Sequence, residues 1–295
     1  MSRLILAACA LVSVACAGPP RPAPSWDELR SATYHGIGPV HVTLTDGRWF
    51  GEPFVSGGAS RPVVTLVDGF RLEGDTDGDG TPEALVLLAE SEGGSGTFVH
   101  LAIVGRRGRD VSSVATARVG DRVQMRSGAI DAGRIVLDVL EAGPGDAACC
   151  PTEKARRTWQ LERDTLREVD SQRMGPIAVA DLVGPEWVLR GFDVDDSAPP
   201  EPAVTLVFEP ERIRGQAGCN RYFASIGAAG AKPTELALGP IGATRMACAG
   251  PAMALERRYL EALGAVDSFG FSYGRLALRW VTSDARGVLL FEARR

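Results

Sequence analysis

The feature that most restricts this chain is a series of strand-length apolar runs, each cut short by residues that favour tight turns. Val40 to Leu44, Val63 to Val67, Ala84 to Leu88, Phe98 to Val104 and Ile135 to Leu140 are too short for buried helices and long enough for strands. Asp46-Gly47 and Asp68-Gly69 lie between such runs, and this dipeptide tolerates the positive φ of a two-residue hairpin. Val40, Val42 and Leu44 alternate with His41, Thr43 and Thr45, which places one strand face in a core and the other in water. Antiparallel pairing is therefore expected. The only helical stretch in the first half is the opening Trp26 to Arg30.

At 295 residues the chain exceeds what one small core usually organises, so two domains are expected. Thirty-five glycines, 19 prolines and 6% aromatic residues favour many short elements joined by turns. The formal charge of -5 is spread over both signs and provides no field for a polyphosphate, which excludes nucleic acid as the expected partner. Arg106, Arg107 and Arg109 fall between two apolar runs and read as a solvated turn. Gly93-Gly94-Ser95-Gly96 lacks the following Gly-Lys-Ser/Thr and helix of a phosphate loop, and reads as a hairpin. His35, His41 and His100 have no helical zinc spacing.

The most chemically suggestive stretch is Asp75-Thr76-Asp77-Gly78-Asp79-Gly80-Thr81-Pro82-Glu83. Oxygen ligands at alternate positions with glycines between them can wrap a hard cation, so Asp75, Asp77, Asp79 and Glu83 are a candidate Ca2+ set. The loop resembles the acidic loops of FG-GAP repeats more than an EF-hand, whose twelfth position would fall on Val86. The alternative is a hydrated turn joining Phe70 to Leu72 with Ala84 to Leu88.

Arg3 precedes an apolar run from Leu4 to Ala15, which is too short to span a bilayer and is followed at once by Ala17-Gly18-Pro19-Pro20. The layout is that of an export signal, residues 1–16. Ala15-Cys16 resembles the end of a bacterial lipobox, which implies acylation of Cys16, a Pro-rich tether over 17–24 and a place on the periplasmic side of the outer membrane. Ser13 stands where that pattern has leucine, leaving cleavage to a soluble periplasmic or secreted protein as the alternative.

A first β-rich module is expected over residues 25–173 and a second over 177–295, with Gly175-Pro176 between them. In the second, strands are expected at Ala203 to Phe208, Arg212 to Gln216, Leu236 to Leu238, Phe269 to Tyr273, Leu276 to Trp280 and Val288 to Phe291. A helix opens at Gly250-Pro251, with Met253, Leu255, Tyr259, Leu260 and Leu263 on one side and Glu256, Arg257, Arg258 and Glu261 interleaved. Trp187, Gly218-Cys219-Asn220-Arg221-Tyr222 and Thr244-Arg245-Met246-Ala247-Cys248 ahead of that helix resemble the META domain, the family of the heat-shock protein HslJ. The resemblance covers about residues 178 to 293 and implies a compact antiparallel β-structure with one helix, frequent in envelope lipoproteins, and no catalytic residues. Within the motif, Gly218, Asn220 and Tyr222 read as scaffolding, with a binding role for Asn220 or Arg221 as the alternative.

Cys219 and Cys248 are the only cysteines of the second module, and export makes a bridge between them an expectation; closing that loop would contribute about 3 to 4 kcal/mol. Cys149-Cys150 leaves three options: a strained vicinal bridge, a partner on another chain, or reduced thiols.

The second module has no histidine, which excludes histidine-assisted serine or cysteine catalysis within it. We therefore expect a non-catalytic envelope lipoprotein serving binding or assembly, with a peptide, apolar ligand, lipid or envelope protein as partner. Two alternatives stand beside it: a calcium-stabilised structural surface module, and a carboxylate-dependent hydrolase.

Overall fold

The computed structural model describes residues 21–38, 41–108, 110–147, 149–227 and 230–294. The export segment with Cys16, and Val40 at the head of the first expected strand, lie outside them. The described chain is 54% strand and 9% helix, built on antiparallel sheets, which is the expected mainly β class.

A short helix α1 (Trp26–Leu29), opened by a Ser25/Glu28 capping box, leads into a seven-stranded sheet. Its strands are β1 (Thr33–Tyr34), β2 (Val42–Thr43), β3 (Arg48–Phe50), β4 (Val63–Gly74), β5 (Glu83–Ser91), β6 (Phe98–Arg107) and β7 (Asp110–Asp121). They lie in the order β2-β1-β7-β6-β5-β4-β3, with β1 parallel to β7. The continuous apolar run in β5 now has its reason. Leu85 and Leu87 face one core with Leu101 and Ile103 of β6, while Ala84, Val86 and Leu88 face another, covered by Leu29, Tyr34, Ile37, Val42 and Leu44. A strand buried on both faces has no polar alternation.

The first of these cores is closed by a four-stranded antiparallel sheet of β8 (Gln124–Asp131), β9 (Arg134–Glu141), β10 (Glu153–Glu162) and β11 (Thr165–Pro176), through Met125, Ile135, Leu137, Val139, Trp159 and Leu166. Sheet-on-sheet packing of this kind gives each apolar side chain about 1.5 to 3 kcal/mol of burial.

The remaining strands form one curled sheet: β12 (Glu186–Asp193), β13 (Asp196–Ser197), β14 (Thr205–Phe208), β15 (Arg212–Gln216), β16 (Arg221–Ser225), β17 (Gly242–Ala243), β18 (Val266–Ser272), β19 (Arg275–Val281) and β20 (Arg286–Arg294). It is nearly closed into a barrel. The seam is made by the segment Thr234 to Leu238, which reaches both edges. Leu236 N donates to Asp267 O at 3.0 Å beside β18, and Gly227 N donates to Ala237 O at 2.8 Å beside β16. Helix α2 (Gly250–Gly264) buries Leu255, Tyr259, Ala262 and Leu263 in the barrel core. As expected, it opens with Pro251 in its first turn; Met253, however, is exposed.

Several local readings change. Asp68-Gly69 is not a hairpin but a bulge inside β4, where register passes from Leu66 opposite Leu88 to Arg71 opposite Val86. Gly69 takes φ +95° there, and a side chain at this position would press on the Arg275 guanidinium at 3.1 Å. Arg106 is not a solvated turn residue: its guanidinium clasps Glu28, at 2.6 Å from Nη2 to Oε2. The described end of the Pro-rich stretch lies on the first sheet, where Arg71 Nη2 donates to Pro24 O at 2.7 Å and Arg106 Nε donates to Pro22 O at 3.3 Å.

Candidate functional site

The segments Gly218 to Tyr222 and Thr244 to Cys248 fold into a clamp. Asn220, 1% exposed, uses its whole carboxamide: Oδ1 accepts from Thr244 Oγ1 at 2.8 Å and from Met246 N at 2.7 Å, and Nδ2 donates to Met246 O at 3.2 Å and to Glu256 Oε1 at 2.9 Å. Its backbone N donates to Glu256 Oε2 at 2.6 Å. With two donors and two acceptor contacts in use, the side chain keeps nothing for a ligand. Gly218, at φ +106°, brings this loop against α2, and a side chain there would stand 3.3 Å from Ala252 O. Cys219 and Cys248 lie at disulfide distance with their Cα atoms 6.0 Å apart, tying the two motif segments together. Tyr222 is buried, donates to Thr205 O at 2.9 Å and meets Tyr259 Oη at 2.6 Å, and burial pushes its hydroxyl well above the usual range. Its neighbours Phe223, Met246 and Ala247 are exposed.

The residue that sequence reading missed is Glu256. It looked like one of several interleaved charges on α2, yet it is 7% exposed and is the acceptor that completes Asn220. Only its partner, 36 residues upstream, distinguishes it from Arg257 or Glu261.

The acidic loop joins β4 to β5. It brings Asp75, Asp77 and Glu83 together, with one ligand oxygen from each within 4.8 Å of the others; Asp79 is outside this group. Much of the carboxylate capacity is spent on the loop itself. Asp75 accepts from Gly78 N at 2.7 Å and Gly80 N at 2.9 Å, Asp77 from Asp79 N at 3.1 Å, and Asp79 from Thr81 N at 2.6 Å. Glu83 accepts from Thr76 Oγ1 at 2.6 Å and Thr76 N at 2.8 Å. Burial pushes the Glu83 carboxyl up, and the Thr76 hydrogen bonds do not cancel the effect. Elsewhere in this half, His100 Nε2 pairs with Glu90 Oε2 at 2.8 Å in a buried position, and Cys149 and Cys150 lie at disulfide distance.

A cleft of about 430 Å³ lies at the junction of all three sheets. Phe70 and Leu72 of β4, Trp187 of β12 and Phe271 of β18 supply its apolar surface, with Arg126 of β8 between them. The Arg126 guanidinium stacks over the Phe271 ring, 5.4 Å from its centroid, and Trp187 and Phe271 are tilted rings 6.4 Å apart. The junction is stitched by Phe271 N donating to Gln124 Oε1 at 2.8 Å and by Gly274 N donating to Met125 O at 2.7 Å. Leu140 of β9 is buried in the barrel core, and Tyr273 of the β18–β19 turn packs on the core between the first two sheets.

Three carboxylates edge the cleft, and each is held by its own cation. Asp138 pairs with Arg156 at 2.8 Å, Asp181 with Lys154 at 2.8 Å, and Glu292 with Arg190 at 2.8 Å and Arg275 at 3.1 Å. Burial pushes Asp138 up, but Arg156 and the Ser127 hydroxyl outweigh it and hold the acid below its usual range. Asp181 is likewise held low, by Lys154 and the Ala178 N–H against the effect of burial.

Residues 180–295 match the model of the META domain family. Among solved structures, a protein from Burkholderia xenovorans determined by NMR is 26% identical, covering 43% of this chain and 97% of its own, with a TM-score of 0.30. A second NMR structure is 20% identical over 39% of this chain and 94% of its own, with a TM-score of 0.32. No curated protein matches the chain. The match over residues 180–295, falling on the clamp at Gly218 to Tyr222 and Thr244 to Cys248, supports the META family for the C-terminal barrel.

Proposed function

We propose that this is an exported, lipid-anchored envelope protein that binds rather than catalyses, and that the junction cleft is its binding site. The observation that carries the reading is the cleft itself: largely buried apolar side chains and charged groups from three sheets around a space within the range of about 300 to 1,000 Å³ common for small-ligand pockets. Cysteine pairs at disulfide distance support an oxidising compartment, in keeping with the export signal and Cys16. The state of the cleft carboxylates weighs against a hydrolase there. A carboxylate pair doing acid and base chemistry needs one member pushed up to hold its proton, whereas Asp138 and Asp181 are both held down.

The test uses a neutral apolar dye, Nile red, with the full-length mature protein. Saturable fluorescence is expected, and Ala293→Trp should abolish it, since Ala293 is an exposed residue lining the cleft and a large ring there would fill it. Fluorescence that does not saturate, or that survives Ala293→Trp unchanged, would refute the site.

A second reading rests on the convergence of Asp75, Asp77 and Glu83: the loop binds Ca2+ and stiffens the β4–β5 hairpin. Calorimetry would show a melting temperature raised by calcium and lowered by chelator; identical melting curves in both would remove this reading.

A further inference from the structure

We propose that the junction cleft selects a carboxylate carried on an apolar body, with Arg126 binding the anion; the proposal rests on the cleft being a binding site and specifies its ligand class. The acidic residues around the cleft would by themselves argue for a cation, but Asp138, Asp181 and Glu292 are already matched by Arg156, Lys154, Arg190 and Arg275. Arg126 is different. Among the described residues it makes no ion pair and no hydrogen bond; its guanidinium lies over the Phe271 ring, 5.4 Å from the centroid, and its charge also acts on Asp138 and Asp181.

The N–H groups of a guanidinium lie in its plane, in the fork that fits a carboxylate. Arg126 Nε is buried without an acceptor, and so is Nε of Arg71, another lining residue, whose terminal nitrogens are held by Glu73 and Pro24 O. The Arg126 Nη groups, which are not buried and make no hydrogen bond among the described residues, are the donors left for a ligand that accepts hydrogen bonds. The surrounding carboxylates limit its charge, because the Arg126 guanidinium also acts on Asp138 and Asp181 and has little positive field to spare, which favours a monoanion over a phosphate dianion. Phe70, Trp187 and Phe271, each at most 7% exposed, and the part-buried Leu72 leave a narrow apolar surface that suits an apolar body.

The experiment is calorimetric titration of the full-length mature protein with 3-phenylpropanoate and, separately, with its neutral isostere 3-phenylpropanamide. The acid is expected to bind about tenfold more tightly, the size of one charge-assisted hydrogen-bonded contact, and Arg126→Gln should bring the two ligands to the same affinity. Equal affinities in the unaltered protein, or an acid preference that survives Arg126→Gln, would overturn the role of Arg126 while leaving the cleft a binding site. No saturable heat with either ligand would overturn the binding site itself, and this proposal with it. If Arg126→Gln does not fold, Arg126→Lys decides. It keeps the charge and loses the fork, so weaker acid binding with unchanged amide binding supports the proposal, and unchanged acid binding overturns it.

Discussion

The two polar clusters of this molecule are opposites. The acidic loop is folded by its own backbone: Asp75, Asp77 and Asp79 accept from amides two to five residues ahead, and all three are exposed. The Asn220 clamp is buried and joins three separate stretches, the loop before β16, the segment at Thr244 to Cys248, and α2. Short-range hydrogen bonds at the surface compete with water and add little net stability, while a buried network leaves costly unpaired groups when one member is lost. A conspicuous acidic motif can therefore matter less to the fold than one inconspicuous glutamate.

That contrast can be broken by mutation. The largest effect is expected from Cys219→Ser with Cys248→Ser, which opens the loop between the motif segments and should lower unfolding stability by about 3 to 4 kcal/mol in urea titration. Cys149→Ser with Cys150→Ser is the matched control, since adjacent residues close no loop; a comparable loss there would contradict the assignment of the stabilising bridge. Next comes Glu256→Ala, which strips Asn220 of two hydrogen bonds in a buried site and should cost about 2 to 3 kcal/mol by the same titration. Asp75→Ala in the presence of chelator should cost less than about 1 kcal/mol, because its partners are exposed amides that water can satisfy. Were Asp75→Ala to cost more than Glu256→Ala, the comparison would be reversed.

The smallest effect concerns acid. Glu28 is lowered from its ordinary 4.5 to about 2, first by the hydrogen bond from Arg106 and then by that from Ser25 N, with Arg106 attraction adding to them against burial. A carboxyl lowered by folding gives stability that is present above pH 4.5 and lost as pH falls towards 2. Glu28→Gln should make the fall in melting temperature shallower across that window, and an unchanged slope would show that the Arg106 clasp contributes nothing.

Legibility followed distance along the chain. The β5–β6 hairpin, the helix opening at Gly250-Pro251 and the strands at Leu276 to Trp280 and Val288 to Phe291 could be read because their apolar residues signal within a few positions. Asp68-Gly69 was misleading because a bulge and a hairpin use the same positive-φ glycine. The strands β8 and β11 carry polar residues on largely exposed faces, so Gln124–Asp131 and Thr165–Pro176 give no apolar run to find. Arg126 lies in one of them. Nothing near it in sequence announces a cleft, whose apolar residues come from 54 or more positions upstream and from the barrel.

Export and anchoring are proposed together with the binding role of the cleft, and the intact mass of the mature protein from the membrane fraction tests them directly. The expected species begins at Cys16, carries a diacylglyceryl group and lacks the two pairs of hydrogens removed by the Cys149–Cys150 and Cys219–Cys248 bridges. A species that still begins at Met1 with every thiol reduced would contradict the account.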